Sequence, residues 1–467
     1  MSNLSQEVTF DRQLLDRYNR AGPRYTSYPT APHFHEGFGV KEFEEALVQS
    51  RLAQPPRPLS LYVHIPFCRM ACSYCGCNRT VTQDRSRAVP YLARLYQEIA
   101  MVAQRVGGDR QVEQLHFGGG TPTFLAADQL SDLWATLDRH FSLKKDGSGE
   151  YGIEVDPREV TPEVIQLLGT LGFNRVSFGV QDLNPKVQEA VNRVQPAEMT
   201  ERMVHAARGA GFQSVNIDLI YGLPHQSWSS FRTTLEESVE RFDPDRLAVF
   251  NFAHLPQYFP NQRHIKAEDL PSAEEKMDIL EGTIQTLLER GYIFIGMDHF
   301  AKPNDELAIA QRQGILHRNF QGYTTHGDCD LVAMGATAIS QVGTVYAQSL
   351  RELEGYYDRI DSGQFATFRG YQLSQDDVIR QEVIMTMICN FRLDRKAIGE
   401  RFNLDFAHYF AAEEPELAQM VADGLLTDDG NELRVTPAGR LLIRNICMPF
   451  DWYLRHADQI KTFSKTI

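Results

Sequence analysis

Residues 61–78 read LYVHIPFCRMACSYCGCN, and they are the most informative stretch of the chain. It holds four of the seven cysteines, Cys68, Cys72, Cys75 and Cys77. The run just before them, residues 59–65, alternates β-prone side chains and is ended by Pro66. The sequence therefore predicts a strand followed by a cysteine-bearing loop. In parallel α/β proteins, ligands bind at that end of the strands.

The spacing of these cysteines favours an iron–sulfur cluster over other sulfur sites. A disulfide framework is not expected, because cysteines three or four residues apart rarely suit disulfide geometry and no secretory signal is visible. A structural zinc site usually has two separated ligand pairs, and the chain has no second C-x-x-C pair. Cys77 or a histidine could still complete a zinc tetrahedron. A redox C-x-x-C pair would leave Cys68 and Cys77 unused, whereas C-x-x-C spacings recur in iron–sulfur proteins.

Length and composition exclude several classes of protein. The chain has 467 residues, 42% hydrophobic and 23% charged, which is ordinary for a globular protein with two or three domains. Its net charge of −14 argues against a nucleic-acid-binding protein. No window reaches transmembrane length and the first twenty residues lack an apolar core, so we expect a cytoplasmic protein without a membrane span. Thiols stay reduced in that compartment.

A repeated strand–loop–helix pattern predicts an α/β fold with a parallel sheet. The predicted strands are residues 59–65, 114–117, 151–155, 175–178, 214–220 and 246–250. The predicted helices between and after them are residues 89–106, 128–141, 162–171, 185–210, 228–241 and 273–290. Six such units favour a partial (β/α)6 TIM-like barrel, with a flat doubly wound sheet as the alternative.

The remaining segments suggest three consecutive domains. Residues 1–55 are expected to form an N-terminal arm, which includes the turn-rich run GPRYTSYPTAP and Arg24. This arm either packs on the surface or covers the mouth of the site. Residues 56–364 form the barrel, with residues 297–340 read as loops and one short helix. Residues 365–467 are expected to form a mainly helical, winged-helix-like C-terminal domain.

Polar or small residues follow the predicted strands in turn. The second strand leads into HFGGGTPTF, whose glycines let the backbone approach a ligand closely. The later strands are followed or ended by Glu154, Gln181, Arg193, Asp218 and Ala253. Each of these alone is more typical of a solvated or structural position. Their recurrence after strand upon strand indicates a site at the carboxyl end of the barrel.

The C-x-x-x-C-x-x-C spacing of Cys68, Cys72 and Cys75 resembles the signature of the radical S-adenosylmethionine (SAM) superfamily. Together with further motifs, the chain resembles the oxygen-independent coproporphyrinogen III oxidase family from residue 22 to its C-terminal region. These motifs are YVHIPFC, CGC, LHFGGGTPT, IEVDPRE, VSFGVQD, NIDLIYGLP, FNFAHLP, IGMDHFA, LHRNFQGYTT and RLLIRNICM. The resemblance implies that the three cysteines hold a 4Fe–4S cluster whose fourth iron binds SAM. Cys77 could in principle close that fourth position.

The resemblance also implies two SAM molecules. The residues that would hold the one on the cluster are Tyr62, Gly119, Glu154 and Ile339. The residues that would surround the second are Tyr74, Gly120, Thr121, Gln181, Arg193, Asp218 and Ala253. Tyr74 departs from the family pattern, because that position is aromatic in the family but is not always tyrosine. The departure should not affect binding, because the position contributes only the face of an aromatic ring.

The activity implied by the resemblance is oxidative decarboxylation in haem biosynthesis. A 5′-deoxyadenosyl radical would abstract hydrogen from two propionates of coproporphyrinogen III, and loss of CO2 and an electron would give the vinyl groups of protoporphyrinogen IX. The expected partners are this substrate, a low-potential electron donor and an electron acceptor, with Arg24 as a candidate for a substrate carboxylate. We expect a monomer. The rival is a haem-binding relative, which lacks the last cysteine of C-x-C and the GPRYTSYP arm; this chain has both.

Overall fold

The computed structural model describes residues 8–456 and residue 463. Its central feature is a run of parallel strands that neighbour one another in chain order. These strands are β1 (Leu59–Ile65), β2 (Gln111–Gly119), β3 (Glu150–Val155), β4 (Arg175–Gln181), β5 (Ser214–Tyr221) and β6 (Arg246–Asn251). A doubly wound sheet reverses its strand order at a switch point, and this run does not. The predicted partial barrel is confirmed.

Helices connect the strands, as a parallel sheet requires. They are Ala88–Val106, Ala127–His140, Pro162–Leu171, Pro185–Ala190, Ala197–Gly209, Trp228–Phe242 and, after β6, Ala273–Glu289. Burial differs between the strands: in β1 only Tyr62 is partly exposed, whereas alternate residues of β4 and β5 are partly exposed. Gln181 and Asp218 are among these partly exposed residues, so polar side chains are accessible along β4 and β5 as well as at the strand ends.

The single helix predicted over residues 185–210 is wrong. The structure has two helices, because the chain turns out of the helix at Asn192, whose φ is +53°, and resumes after Pro196. Proline is tolerated at a helix start but not in its interior. The interruption places Arg193 between the two helices.

The prediction of loops and one short helix over residues 297–340 is also wrong, because this region contains several strands. Asp330–Met334 pairs in parallel with β1 on the side opposite β2. The sheet then continues through antiparallel strands, which are Ile339–Val342, Val345–Ser349 and Thr367–Gln372. Short strands pair Phe67–Cys68 with Thr80–Val81 and Ser142–Leu143 with β2. The sequence signal was weak because each strand is short and its partner is distant.

Contacts divide the chain into two compact units, each made of separate stretches. Unit 2 comprises residues 34–282 and 328–372 and contains β1 to β6, with further helices Val40–Leu52 and Leu353–Asp361. Unit 1 comprises residues 1–33, 283–327 and 373–467. The three consecutive domains predicted above stay a prediction, and their residues 1–7, 457–462 and 464–467 lie outside the described part.

Unit 1 is mainly helical and carries small sheets. Its helices are Arg12–Tyr18, Glu306–Gln313, Gln375–Asn390, Arg395–Phe402, Phe406–Tyr409, Glu414–Ala422, Ile443–Cys447 and Trp452–Arg455. Its hairpins pair Ile293–Gly296 with His299–Ala301 and His317–Asn319 with Gly322–Thr324. A three-stranded sheet joins Arg392–Asp394, Glu432–Val435 and Leu426–Asp428. The winged-helix-like character of the C-terminal region stays a prediction. Among residues 8–456, we find no helix with the length and hydropathy needed to cross a bilayer.

Candidate active site

The cysteine loop leaves the carboxyl end of β1 as the sequence predicted. Its ends are tied together, because the Thr80 amide donates to the Pro66 carbonyl at 2.6 Å and the Thr82 amide donates to the Cys68 carbonyl at 2.9 Å. All seven cysteines are free thiols. Cys68 and Cys72 are buried, Cys75 is half-buried and Cys77 is exposed. Although Cys77 is the most exposed of the four residues, its thiol hydrogen-bonds the thiol of Cys75.

Asn261 braces this loop from within, and sequence reasoning missed it. Its side-chain amide donates to three carbonyl oxygens of the loop, those of Cys72, Ser73 and Cys75, at 3.0, 3.0 and 2.8 Å. The neighbouring Gln262 donates to the Tyr74 carbonyl at 2.9 Å. Both lie in a short 3-10 turn, Pro260–His264, after β6. An Asn-Gln pair in a loop gives no sequence signal that separates this role from simple solvation.

Two guanidinium groups contact the sulfur of Cys72. Arg158 Nη2 and Arg193 Nη1 each lie 3.4 Å from Cys72 Sγ. Asp156 orients both, at 2.7 Å from Arg158 Nη2 and 2.9 Å from Arg193 Nη1. The single negative charge of Asp156 is thus shared by two guanidinium groups, so a net positive charge remains beside the Cys72 sulfur. Arg193 was predicted to contact the second SAM, and here it is buried against the cysteine loop.

The thiols differ in how readily they lose their protons. A hydrogen bond with Cys77 lowers the pKa of Cys75 to about 6, with Arg79 and Arg193 acting in the same direction against the effect of burial. Burial raises the pKa of Cys68 to about 12, although a contact with Thr121 Oγ1 at 3.4 Å works against this. Metal coordination deprotonates a thiol outright, so a cationic, thiol-rich loop suits a thiolate-bound metal cluster.

The cysteines do not converge on one point. Within residues 8–456 and 463, no three cysteine, histidine or carboxylate side chains are close enough to share a single metal ion. A 4Fe–4S cluster does not need such convergence, because each thiolate binds a different iron. The donor set of three thiols on one loop therefore fits a cluster.

The glycines that end β2 lie against this loop and have no room for side chains. Gly119 has φ +117°, and a Cβ there would lie 2.7 Å from the His64 ring. A Cβ on Gly120 would lie 2.6 Å from the Phe67 carbonyl oxygen. The Gly120 and Thr121 amides donate to the Ile65 and Phe67 carbonyls, each at 2.8 Å. The predicted glycine-rich segment is thus packed directly on the exit of β1.

Tyr62 and Glu154 stand on either side of the glycines with defined partners. Burial lowers the pKa of His64 to about 4, so its imidazole is neutral. Its Nε2 lies 3.2 Å from the Asn78 carbonyl and must donate to it, so Nδ1 accepts from the Tyr62 hydroxyl at 3.2 Å. Glu154 accepts from the Gly119 amide at 3.2 Å and lies 3.4 Å from His116 Nε2. A half-exposed carboxylate and a hydroxyl therefore border the loop.

The other predicted contact residues also belong to unit 2. Gln181 ends β4 with φ +71°, a conformation rare for a residue with a side chain. Burial raises the pKa of Asp218 to about 6, and its oxygens accept from Ser177 Oγ at 2.9 Å and Asn216 Nδ2 at 2.7 Å. Ala253 is exposed after β6, and Ile339 begins a strand next to Asp330–Met334.

Tyr74 packs against an apolar cluster formed by Val187, Val191, Leu223, Phe252 and Ile265. All eleven residues predicted to contact SAM, like the three cysteines, lie in unit 2. Arg24 lies in unit 1, where its Nη1 pairs with Asp298 at 3.0 Å. Its guanidinium is thus already engaged by one carboxylate.

A buried network behind β1 was also missed. Glu98 Oε2 accepts from the Gly335 amide and the Tyr356 hydroxyl, each at 2.7 Å. Tyr91 donates to the His64 carbonyl at 2.6 Å and accepts from the Ala336 amide at 3.3 Å. The network ties the end of β1 to the turn that leads to Ile339. In the sequence, Glu98 reads as a solvated residue of an ordinary helix.

The cysteines outside the loop were expected to be buried small hydrophobes. Cys389 and Cys447 are buried, as expected, but Cys329 is only half-buried. It follows Asp328 in a turn just before the strand Asp330–Met334, where one side remains open.

Comparison with known proteins gives consistent matches over nearly the whole chain. Residues 62–237 match the radical SAM superfamily and residues 373–442 match the HemN C-terminal domain. The oxygen-independent coproporphyrinogen III oxidase of Escherichia coli K12 is 52% identical over 99% of both chains. The enzyme of that name from Pseudomonas aeruginosa PAO1 is 51% identical, and the match covers 98% of this chain and 99% of the relative. The one from Synechocystis sp. PCC 6803 is 46% identical, and the match covers 100% of both chains.

A solved structure shares the complete fold. It is described as coproporphyrinogen III oxidase (HemN) from Escherichia coli, a radical SAM enzyme. It aligns with a TM-score of 0.91 at 51% identity, and the match covers 96% of this chain and 100% of that one. The fold, the sequence and the cysteine loop therefore all indicate the same family, the oxygen-independent coproporphyrinogen III oxidases.

Proposed function

The chain belongs to the oxygen-independent coproporphyrinogen III oxidase family of the radical SAM superfamily, and on this premise we propose that it makes protoporphyrinogen IX from coproporphyrinogen III. The reaction is an oxidative decarboxylation of two propionate side chains to vinyl groups. The observation that carries the proposal is the set of three thiols at the exit of β1, packed against the glycines that end β2.

Cys68, Cys72 and Cys75 would hold a 4Fe–4S cluster. Their number and their cationic surroundings support this proposal, since Arg158 and Arg193 each contact Cys72 Sγ. When bound, the cluster and SAM supply the one-electron chemistry that produces the hydrogen-abstracting radical. We propose that Cys77 stays off the cluster and supports Cys75 instead, through its thiol and through its backbone amide, which donates to Cys75 Sγ at 3.4 Å.

The stoichiometry of two SAM molecules and their contacts are part of the proposal. Around the first, Tyr62 and Glu154 offer a hydroxyl and a carboxylate, Gly119 permits close backbone approach, and Ile339 adds an apolar surface. The residues proposed around the second are Tyr74, Gly120, Thr121, Gln181, Arg193, Asp218 and Ala253. Support comes from their common position at the carboxyl end of the barrel strands, where (β/α) enzymes place their chemistry.

The protein's own part in the reaction is binding and exclusion of water. Hydrogen-atom abstraction needs no general base, and the neutral His64 is consistent with a positioning role. The buried glycine turn and the braced loop hold cofactors in a fixed geometry, which protects a reactive radical from solvent.

The proposal includes a low-potential electron donor and an electron acceptor, no nucleic-acid partner, and a monomeric state. It also places the protein in the cytoplasm, because seven free thiols need a reducing compartment. The net charge of −14 supports the exclusion of nucleic acid.

The test is an anaerobic assay of the reconstituted protein with SAM, a chemical reductant, a one-electron acceptor and coproporphyrinogen III. Wild type should release CO2 and form protoporphyrinogen IX, with about four irons per chain. Cys68→Ala should lose the cluster and the activity, whereas Cys329→Ala should keep both. Stoichiometric haem binding without turnover by a fully loaded wild type would refute the proposal and favour the haem-binding rival.

A further inference from the structure

The outer side of the cysteine loop and its continuation carries a group of arginines. We call Arg69, Arg79, Arg85, Arg87 and Arg351 the arginine rim. Arg79 is half-exposed and the other four are exposed. The first four lie within or directly after the loop, and Arg351 is joined to it because its carbonyl accepts from Asn78 Nδ2 at 3.1 Å. The rim therefore belongs to the loop that carries the proposed cluster ligands and to the segments next to it.

Carboxylates lie near two of these arginines without forming ion pairs with them: Glu159 interacts with the charge of Arg69, and Asp84 with that of Arg87. Within the described part of the chain, none of the five rim side chains forms an ion pair, whereas Arg94 pairs with Asp361 and Arg241 pairs with Glu198 and Glu201. Asp84 is the one acidic residue between positions 66 and 89, and its carboxylate accepts from the Ser86 amide and hydroxyl. Five arginines, with Asp84, Glu159 and Glu352 as neighbouring carboxylates, leave a local excess of positive charge on a chain whose net charge is −14.

Apolar side chains are exposed within the same stretch. Met70, Val81 and Val89 are 39%, 45% and 57% exposed. Val81 pairs in register with Cys68, and Met70 follows two residues after that cysteine. Exposed apolar side chains within a charged rim are typical of protein interfaces. This combination indicates a surface that another protein covers.

We propose that the arginine rim is the docking site of an acidic, low-potential one-electron donor protein. The inference rests on the proposed function, since it requires a cluster on Cys68, Cys72 and Cys75. In the docked complex the donor loses one electron and the cluster gains it, and no atoms are transferred. Charge complementarity selects the partner, because an acidic donor is repelled by the overall charge of this chain and attracted at the rim.

The position of the rim suits electron transfer. Arg69 and Met70 directly follow Cys68, so a partner seated there stands one residue away from a proposed iron ligand. Electron-transfer complexes are small and transient, and their association depends on steering by surface charge. At physiological ionic strength, salt screens interactions between surface charges that are more than about 8 Å apart. The charges of the arginine rim therefore influence a docked partner more than the distant acidic surface does.

The experiment compares a protein donor with a small one. Reconstituted holoenzyme, wild type or Arg85→Glu/Arg87→Glu, is mixed anaerobically with reduced plant-type ferredoxin, and cluster reduction is followed by absorbance and electron paramagnetic resonance. The variant should be reduced at least about tenfold more slowly at low salt, with the difference shrinking at high salt. Calorimetric affinity for ferredoxin should fall in parallel. Reduction by dithionite and dithionite-driven turnover should be unchanged.

A matched control reverses the same number of charges elsewhere. Arg57 and Arg139 are exposed and lie at the opposite end of the strands, before β1 and at the end of the helix before β3. Arg57→Glu/Arg139→Glu should be reduced by ferredoxin as fast as wild type. The inference is overturned if both double variants respond alike, or if Arg85→Glu/Arg87→Glu also slows dithionite. Failure of dithionite-driven turnover in wild type would instead overturn the proposed function.

Discussion

At the scale of single residues, Glu98 is a carboxylate with no solvent and no cation beside it. It lies on the buried face of Ala88–Val106 and is 3% exposed. Its partners, the Gly335 amide and the Tyr356 hydroxyl, contact the same oxygen. Burial raises its pKa from 4.5 to about 7, and these two hydrogen bonds only partly oppose the shift. The folded protein therefore holds a proton that the unfolded chain releases.

This gives a pH dependence with a defined sign. Because the pKa of Glu98 is raised on folding, its contribution to stability is complete below about pH 4.5 and is lost as pH rises through about 7. The loss is on the order of 3 kcal/mol. Glu98→Gln keeps an oxygen for both donors, so its urea-unfolding free energy should fall less between pH 5 and pH 8 than that of wild type.

The control for this prediction is Glu354→Gln, which changes an exposed carboxylate on Leu353–Asp361. Its profile should parallel that of wild type. Equal pH profiles for wild type and Glu98→Gln would show that Glu98 is ionised in the folded protein across this range.

Position 120 has no space for any residue larger than glycine. A Cβ there would lie 2.6 Å from the Phe67 carbonyl oxygen and 2.9 Å from its amide nitrogen, and neither backbone atom can move without shifting β1. Gly120→Ala should therefore lower the free energy of unfolding by about 2 kcal/mol and abolish turnover. Gly209→Ala, where no atom lies within 4 Å of the new Cβ, should be neutral or slightly stabilising in the same thermal melts. Equal stability of the two variants would contradict this packing argument.

At the scale of elements, the cysteine loop depends on the turn after β6. Asn261 donates to three carbonyl oxygens of the cysteine loop, which lie 186 to 189 positions before it in the sequence. Asn261→Ala removes hydrogen bonds worth about 1 kcal/mol each. The cluster of this variant should be lost to a chelator at least about tenfold faster than that of wild type. Iron release under anaerobic conditions measures the effect.

Gln257→Ala is the matched control, since Gln257 is exposed in the same loop. It should retain its cluster as wild type does. Equal release rates for the two variants would mean that Asn261 does not hold the loop in the loaded protein.

At the scale of the whole molecule, β1 to β6 form a scaffold that includes none of the proposed cluster ligands, and Cys68 lies in the separate short strand Phe67–Cys68. Chelation of the cluster should therefore leave the far-ultraviolet circular dichroism unchanged. The melting temperature should fall by roughly 5 °C, because a ligand bound only by the folded state stabilises that state. Cys68→Ala should melt at the same temperature before and after chelation. A large loss of secondary structure on chelation would refute the separation of scaffold and loop.

Local sequence patterns predicted the elements whose cause is local. Leu59–Ile65 and Pro162–Leu171 have the bounds expected from alternation, periodicity and proline positions. The interrupted helix at residues 185–210 should have been recognised from Pro196, whose effect is also local. The strand Asp330–Met334 could not be assigned in the same way, because its pairing with β1 joins residues more than two hundred positions apart.

The local sequence specified the chemical groups: three cysteines at fixed spacing after a strand, a glycine-rich turn after the next strand, and an alternation of strands and helices that implies a parallel sheet. Only the tertiary structure decided what surrounds those groups. It placed Arg158 and Arg193 on Cys72, Asn261 under the loop and Glu98 behind β1. The reason is physical. Ligand spacing is a property of neighbouring residues, whereas charge, burial and hydrogen bonding depend on residues that folding alone brings together.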